Sequence, residues 1–134
     1  VLDDDSFSDV CKKLYNANVS AMTQTLELVR PEDYIRAAQA FVDKGVGNLV
    51  VTLGSQGALI VNRQTCQIIP AVATKAVDTT AAGDCFNAAM VIALSEGKPL
   101  LDAVRFANTA AAISVSRRGA QQSLPSRSEV TTAQ

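Results

Sequence analysis

Asp84 closes the run Asp78-Thr79-Thr80-Ala81-Ala82-Gly83-Asp84, and it stands where a polar turn becomes a long apolar helix. The first N–H groups of a helix lack an intrahelical acceptor and carry partial positive charge. They therefore draw phosphate or a developing oxyanion. Ala81, Ala82 and Gly83 are small enough for a ligand to reach that backbone. A carboxylate beside such amides is the minimum equipment for moving a phosphoryl group onto a hydroxyl. The same residues also read as an ordinary helix start, with Asp or Thr as N-cap and Gly easing the turn.

Other chemistries are limited by composition. The 134 residues include no histidine, which removes Ser-His-Asp and Cys-His catalysis and the usual zinc ligand sets. Cys11, Cys66 and Cys85 are widely spaced and odd in number, as expected of reduced thiols in a cytoplasmic protein. Cys85, at a helix start, reads either as an activated thiol or as a small packing residue. Net charge is −1, so no basic excess points to nucleic acid, and no basic amphipathic helix points to a membrane surface. No apolar run is long enough to span a bilayer, and no signal segment opens the chain. Apolar content of 48% with 19% charged residues predicts one globular, well-buried domain over residues 1–134.

The elements that must carry these residues follow in order. Phe7, Val10, Cys11, Leu14 and Tyr15, then Val19, Met22, Leu26 and Val29, fall at helix spacing, with Ser6 as a possible N-cap. Pro31–Lys44 predicts a helix with Pro31 in its first turn, an apolar stripe at Tyr34 or Ile35, Ala38, Phe41 and Val42, and a stop at Gly45 and Gly47. Leu49–Leu53 is a continuous apolar run, as expected of a buried parallel strand. Gly54-Ser55-Gln56-Gly57 is a turn, and Ala58–Val61 is the next strand. Asn62–Thr65 turns the chain again. Cys66–Ile69 and Ala71–Val77 are short strand candidates parted by Pro70, with Lys75 a solvated strand residue. Asp84–Glu96 is the main helix, with Phe86, Ala89, Met90, Ala93 and Leu94 toward the core. Val91 and Ile92 lie on its other sides, which predicts burial nearly all round. Gly97 and Pro99 end it, and Leu100–Arg117 is a second, Ala-rich helix. Arg117, Arg118 and Gly119 fit a dipole-matched C-cap, and the polar stretch Ser123–Gln134 is expected to fray.

Asp78–Asp84 matches the DTxxAGD signature of the ribokinase (PfkB-type) carbohydrate kinases. Phe86-Asn87-Ala88-Ala89, Arg105-Phe106-Ala107-Asn108 and Arg117–Pro125 resemble the same family. The resemblance covers the chain from about Pro31 to Pro125 and implies the C-terminal part of that fold. The expected architecture is a three-layer, ribokinase-like partial α/β sheet with packed helices, preceded by a divergent segment over residues 1–30 whose spacing fits helix. It implies transfer of the γ-phosphoryl group of ATP to a sugar hydroxyl, a pentose being one candidate. Asp84 would be the base, and the amides of Ala81, Ala82, Gly83 and Asp84 would form the anion hole.

Thr52, Gly54, Gly57, Asn108 and Asn16 match nucleotide-contacting positions. The loop is not a Walker A loop, because no Gly-Lys-Ser/Thr follows it. The resemblance further implies a potassium ion held by Asp78, Thr80, Ser114, Arg117, Gly119 and Ser123. It also implies magnesium held through an Asn-x-x-Glu motif. Here Asn16-Ala17-Asn18-Val19 keeps the Asn and has Val19 where the Glu would stand. The family's sugar-binding half has no counterpart in this sequence. The chain is therefore expected to supply the nucleotide half of a site and to be inactive alone. The alternative is a non-catalytic nucleotide-binding or structural module. Self-association into a homo-oligomer is expected, because a truncated sheet exposes an edge and an apolar face.

Overall fold

The computed structural model of the chain describes residues 31–133. Asn16, Val19, Cys11 and the helical spacings of residues 1–29 lie outside the described residues. The chain groups into two compact units, Val1–Val46 and Gly47–Gln134.

In the first unit, α1 spans Pro31–Asp43. Glu32 and Asp33 place negative charge in its first turn, where the helix end favours it. Ala38 and Val42 are buried, one turn apart, while Ile35 stands exposed. The helix closes on Gly45, whose φ of 102° suits only glycine. The Gly45 N–H donates to the Val42 carbonyl and the Val46 N–H to the Phe41 carbonyl.

The second unit contains three strands, β1 (Asn48–Thr52), β2 (Ala58–Asn62) and β3 (Cys66–Ile69). They form one antiparallel sheet in that order, with Val50 opposite Ile60 and Ile60 opposite Gln67. The parallel pairing expected for Leu49–Leu53 is not found among the described residues. Nor is the expected burial found: Leu49, Val50 and Val51 are only partly buried and the strand ends are exposed, and an unbroken apolar run says nothing of strand direction. The turn after β2 is fixed by Asn62, whose Oδ1 accepts the N–H groups of Gln64 at 2.9 Å and Thr65 at 2.7 Å.

Two helices cover one face of the sheet. α2 is Ala82–Ser95 and α3 is Leu100–Val115. Phe86, Ala89, Ala93, Ala103, Val104, Phe106, Ala107 and Ala110 form a continuous core with Ala58, Ile60 and Ile69. The alanines let the two helix backbones approach closely, and Phe86 and Phe106 supply the largest apolar surfaces, each worth about 1.5–3 kcal/mol when buried. The expected burial of α2 all round is not found: Val91, Ile92 and Leu94 are 61%, 48% and 40% exposed. Gly97, at φ 83°, ends α2 as expected, with Lys98 N–H donating to Ala93 O.

The tail does not fray as expected. Gln121–Ser123 makes a 3₁₀ turn and Arg127–Thr132 forms α4. Ser126 and Glu129 make a reciprocal capping box, and Val130 is buried in the core. Arg127 pairs with both carboxylate oxygens of Glu96 and lies over the Phe106 ring, tying α4 to α2 and α3. No helix among the described residues is long and apolar enough to cross a membrane.

Candidate functional site

α2 begins at Ala82, so Asp84 sits in the third position of its first turn rather than at the junction itself. Ala81 precedes the helix and no side chain caps it. Thr80 is taken up elsewhere: Asp78 Oδ1 accepts the Thr80 N–H at 3.0 Å and its hydroxyl at 2.5 Å, while Thr79 lines the neighbouring cleft. This Asx turn delivers the chain into the helix. The Ala82 N–H donates to the Thr79 carbonyl at 3.2 Å, so it is already engaged. The amides of Ala81, Gly83 and Asp84 have no acceptor among the described residues. Gly83 and Asp84 are exposed, and a side chain at Gly83 would point into open space.

A cleft of about 360 Å³ opens beside this turn. Thr52, Gly54, Gly57, Ala82, Gly83 and Asn108 all line it. All four described nucleotide-contacting positions expected from the sequence thus share one cavity with two anion-hole residues. Asp84 does not line it and stands exposed just beyond Gly83. Asn108 is buried. Its Nδ2 donates to the carbonyls of Ile69 at 3.1 Å and Pro70 at 3.0 Å, so that amide anchors the cleft wall.

Ala71–Val77 is not the strand that its pattern suggests. It runs without regular structure, and Ala71, Val72, Ala73, Thr74 and Ala76 line the cleft, with Lys75 exposed. Phe86, Ala111, Ala112 and Val115 complete an apolar wall that the motifs did not mark. The alanine spacing in α3 was the signal for it. Small residues on a helix permit close packing against a neighbour or a flat ligand alike. Cys85 is the packing residue of the two readings given above: it is buried, and burial pushes its thiol up.

The positions expected around a monovalent cation also converge. Asp78 Oδ2 accepts the Gly119 N–H at 2.9 Å. The Ser114 and Ser123 hydroxyls are 2.9 Å apart, and the Arg117 N–H donates to Ser114 O at 3.1 Å. Asp78 and Val77 both donate their N–H groups to Val115 O, which fastens this end of α3 to the Asp78 turn. Arg117–Gly119 is therefore not the helix cap: α3 ends at Val115 with Ser116 as its C-cap, and the Arg117 guanidinium pairs with Glu129. A carboxylate, hydroxyls and carbonyls are the donor chemistry that a hard cation takes, and one carboxylate suits a single charge. Among the described residues no cluster of three His, Cys, Asp or Glu suggests any other metal site.

The Thr80 hydroxyl and the Gly119 and Thr80 amides hold the Asp78 carboxyl at about 2, below its ordinary 3.8. The Arg117 guanidinium and Ser126 hold Glu129 at about 2, below 4.5. Both folded values lie below the unfolded ones. Their stabilisation is thus complete above about pH 4.5 and disappears as pH falls toward 2. Melting temperature should therefore decline between pH 4.5 and 2, and the double variant Asp78→Asn, Glu129→Gln should flatten that decline. An unchanged acid limb in the double variant would remove these two pairs as its source.

The pfkB family carbohydrate kinase profile matches residues 16–127. The ribokinase of Haemophilus influenzae is 42% identical over 104 residues, covering 78% of this chain and 34% of that protein. A solved ribokinase from Thermotoga maritima is 52% identical with a TM-score of 0.72, over 74% of this chain and 33% of its own. An Arabidopsis thaliana ribokinase solved with ribose and ATP is 33% identical with a TM-score of 0.74, over 78% and 34%. Phosphofructokinase-2 from Escherichia coli, solved in complex with potassium, is 33% identical with a TM-score of 0.70, over 79% and 34%. The chain thus spans about a third of the length of these relatives.

Proposed function

We propose, given that this chain belongs to the pfkB family of carbohydrate kinases, that it supplies the nucleotide and anion-hole part of a site that phosphorylates a sugar hydroxyl from ATP. The observation that carries this reading is the single cleft joining Thr52, Gly54, Gly57 and Asn108 to Ala82 and Gly83. Its apolar wall of Phe86, Ala111, Ala112 and Val115 suits a flat base, and its helix end suits phosphate.

In the reaction the acceptor oxygen bonds to the γ-phosphorus, the bond to the β-phosphate oxygen breaks, and ADP leaves with that electron pair. Asp84 takes the proton of the attacking hydroxyl. The amides of Gly83, Asp84 and Ala81 receive charge on the transferred group, and Ala82 holds the turn through Thr79. The Asp78 carboxylate, the backbone carbonyls of Thr80, Ser114, Arg117 and Gly119, and the Ser123 hydroxyl would hold potassium, whose charge would add to the positive potential of the loop. Magnesium would neutralise charge on the ATP phosphates. The solved relatives with ribose, ATP and potassium support these assignments by analogy, with a pentose as acceptor. A cytoplasmic location fits this reading, because ATP is available there. Completion of the acceptor side falls to residues outside this chain, so the chain alone is inactive in this reading.

ATP or ADP should raise the melting temperature by several degrees, since ligand at a hundred times Kd adds about 2.7 kcal/mol. No shift with either nucleotide would end this reading. A shift without ADP release, even with the acceptor side supplied, is the outcome expected of a second reading, a nucleotide-binding or self-associating module. The exposed Val91, Ile92 and Leu94 of α2 favour that second reading, including a homo-oligomer packed through them.

A further inference from the structure

Ser123 has one hydroxyl proton, and it is given to the Ala120 carbonyl at 2.7 Å. The 2.9 Å contact between the Ser123 and Ser114 hydroxyls must then use the proton of Ser114. Both side chains are only 1% exposed, so water does not substitute for either bond. Ser114 stands in the last turn of α3, and Ser123 ends the segment from Arg117 that carries the Gly119 contact to Asp78. One short, buried, directional chain of hydroxyls therefore links a rigid helix to this segment.

With one donor received and one given, Ser123 Oγ keeps a single free lone pair.

We propose that Ser114 is a positioning residue: its hydroxyl donates to Ser123 Oγ and fixes the free Ser123 lone pair for a monovalent cation held together with Asp78. This rests on the cation reading proposed above. Without the Ser114 proton, Ser123 keeps only its bond to Ala120, and its oxygen is free to turn.

The test follows melting temperature against potassium chloride, with tetramethylammonium chloride at matched ionic strength as control. Ser114→Ala should raise the half-saturating potassium concentration about three- to tenfold, the range expected for one lost neutral hydrogen bond. Ser114→Thr, which keeps the hydroxyl, should stay within about twofold of the parent. The cation-free melt reports whether each variant is folded. Should Ser114→Ala fail to fold, Ser114→Cys, with a similar shape and a weaker donor, carries the same test with a smaller rise expected. A folded Ser114→Ala, or Ser114→Cys in its place, with unchanged half-saturation overturns the positioning role while leaving the cation reading intact. A parent protein with no potassium-specific shift overturns the cation reading, and this inference with it.

Discussion

Asp84→Asn should lower phosphoryl transfer at least about a hundredfold, the lower range for loss of a general base, and leave the ATP-induced rise in melting temperature unchanged. The substitution keeps the shape and removes the proton acceptor. Asp84 is exposed, and its side chain makes no hydrogen bond among the described residues, so the fold does not depend on it. The one structural loss is a negative charge at a helix N-terminus, worth about 0.3–1 kcal/mol. Asp84 also lies outside the cleft lining, which separates its two possible roles. A group that touches nucleotide would change binding when replaced. A group that touches only the acceptor hydroxyl would change turnover alone. ADP release with ATP and a pentose, measured with the acceptor side of the site present, reads turnover, and thermal shift reads nucleotide binding. Turnover that survives the change would remove Asp84 as the base.

The residues that carried this assignment were readable because their spacing is tied to local geometry. An Asp followed by two threonines makes its own turn, and small residues after it leave amides bare. Both features survive in any fold that places a helix there. Gly54 and Gly57 were readable for the same reason, with φ of 57° and 103°. Ala71–Val77 was not. Its apolar spacing fits a strand, but a strand also needs a partner ladder, and β3 ends at Ile69. The carbonyls of Ile69 and Pro70 instead meet Asn108, which is 39 and 38 residues away in sequence. The exposed side of α2 was misread because apolar residues predict what a helix can bury, whereas the described chain sets what is available to bury it. The C-terminal helix hid behind polar composition. Ser126 and Glu129 at capping-box spacing were the local signal, and Val130 was the buried anchor.

Gly57→Ala should destabilise the protein by roughly 3 kcal/mol or more, well beyond the usual cost of a surface substitution. A Cβ at this position would stand 2.0 Å from Ile69 O, 2.5 Å from Ala71 N and 2.7 Å from Pro70 C. All three are backbone atoms, so no rotamer change relieves the contact. The φ of 103° adds strain of about 1–3 kcal/mol for any residue with a side chain. Gly54→Ala is the matched control. Its φ is also positive, at 57°, but a Cβ there meets nothing within 4 Å. It should cost only about 1–2 kcal/mol, the left-handed penalty alone. The difference between the two variants in urea unfolding therefore reads the close approach together with the less accessible dihedral angles of Gly57, whose ψ is −132°. That approach has a functional consequence. Ile69 and Pro70 are the residues that Asn108 holds, and Ala71 begins the cleft wall. Pushing them outward should also weaken the nucleotide-induced thermal shift, which Gly54→Ala would disturb only through its own contact with the ligand. Equal destabilisation by the two substitutions would mean that Gly57 is needed for its dihedral angle alone, and that the wall of the cleft does not depend on it.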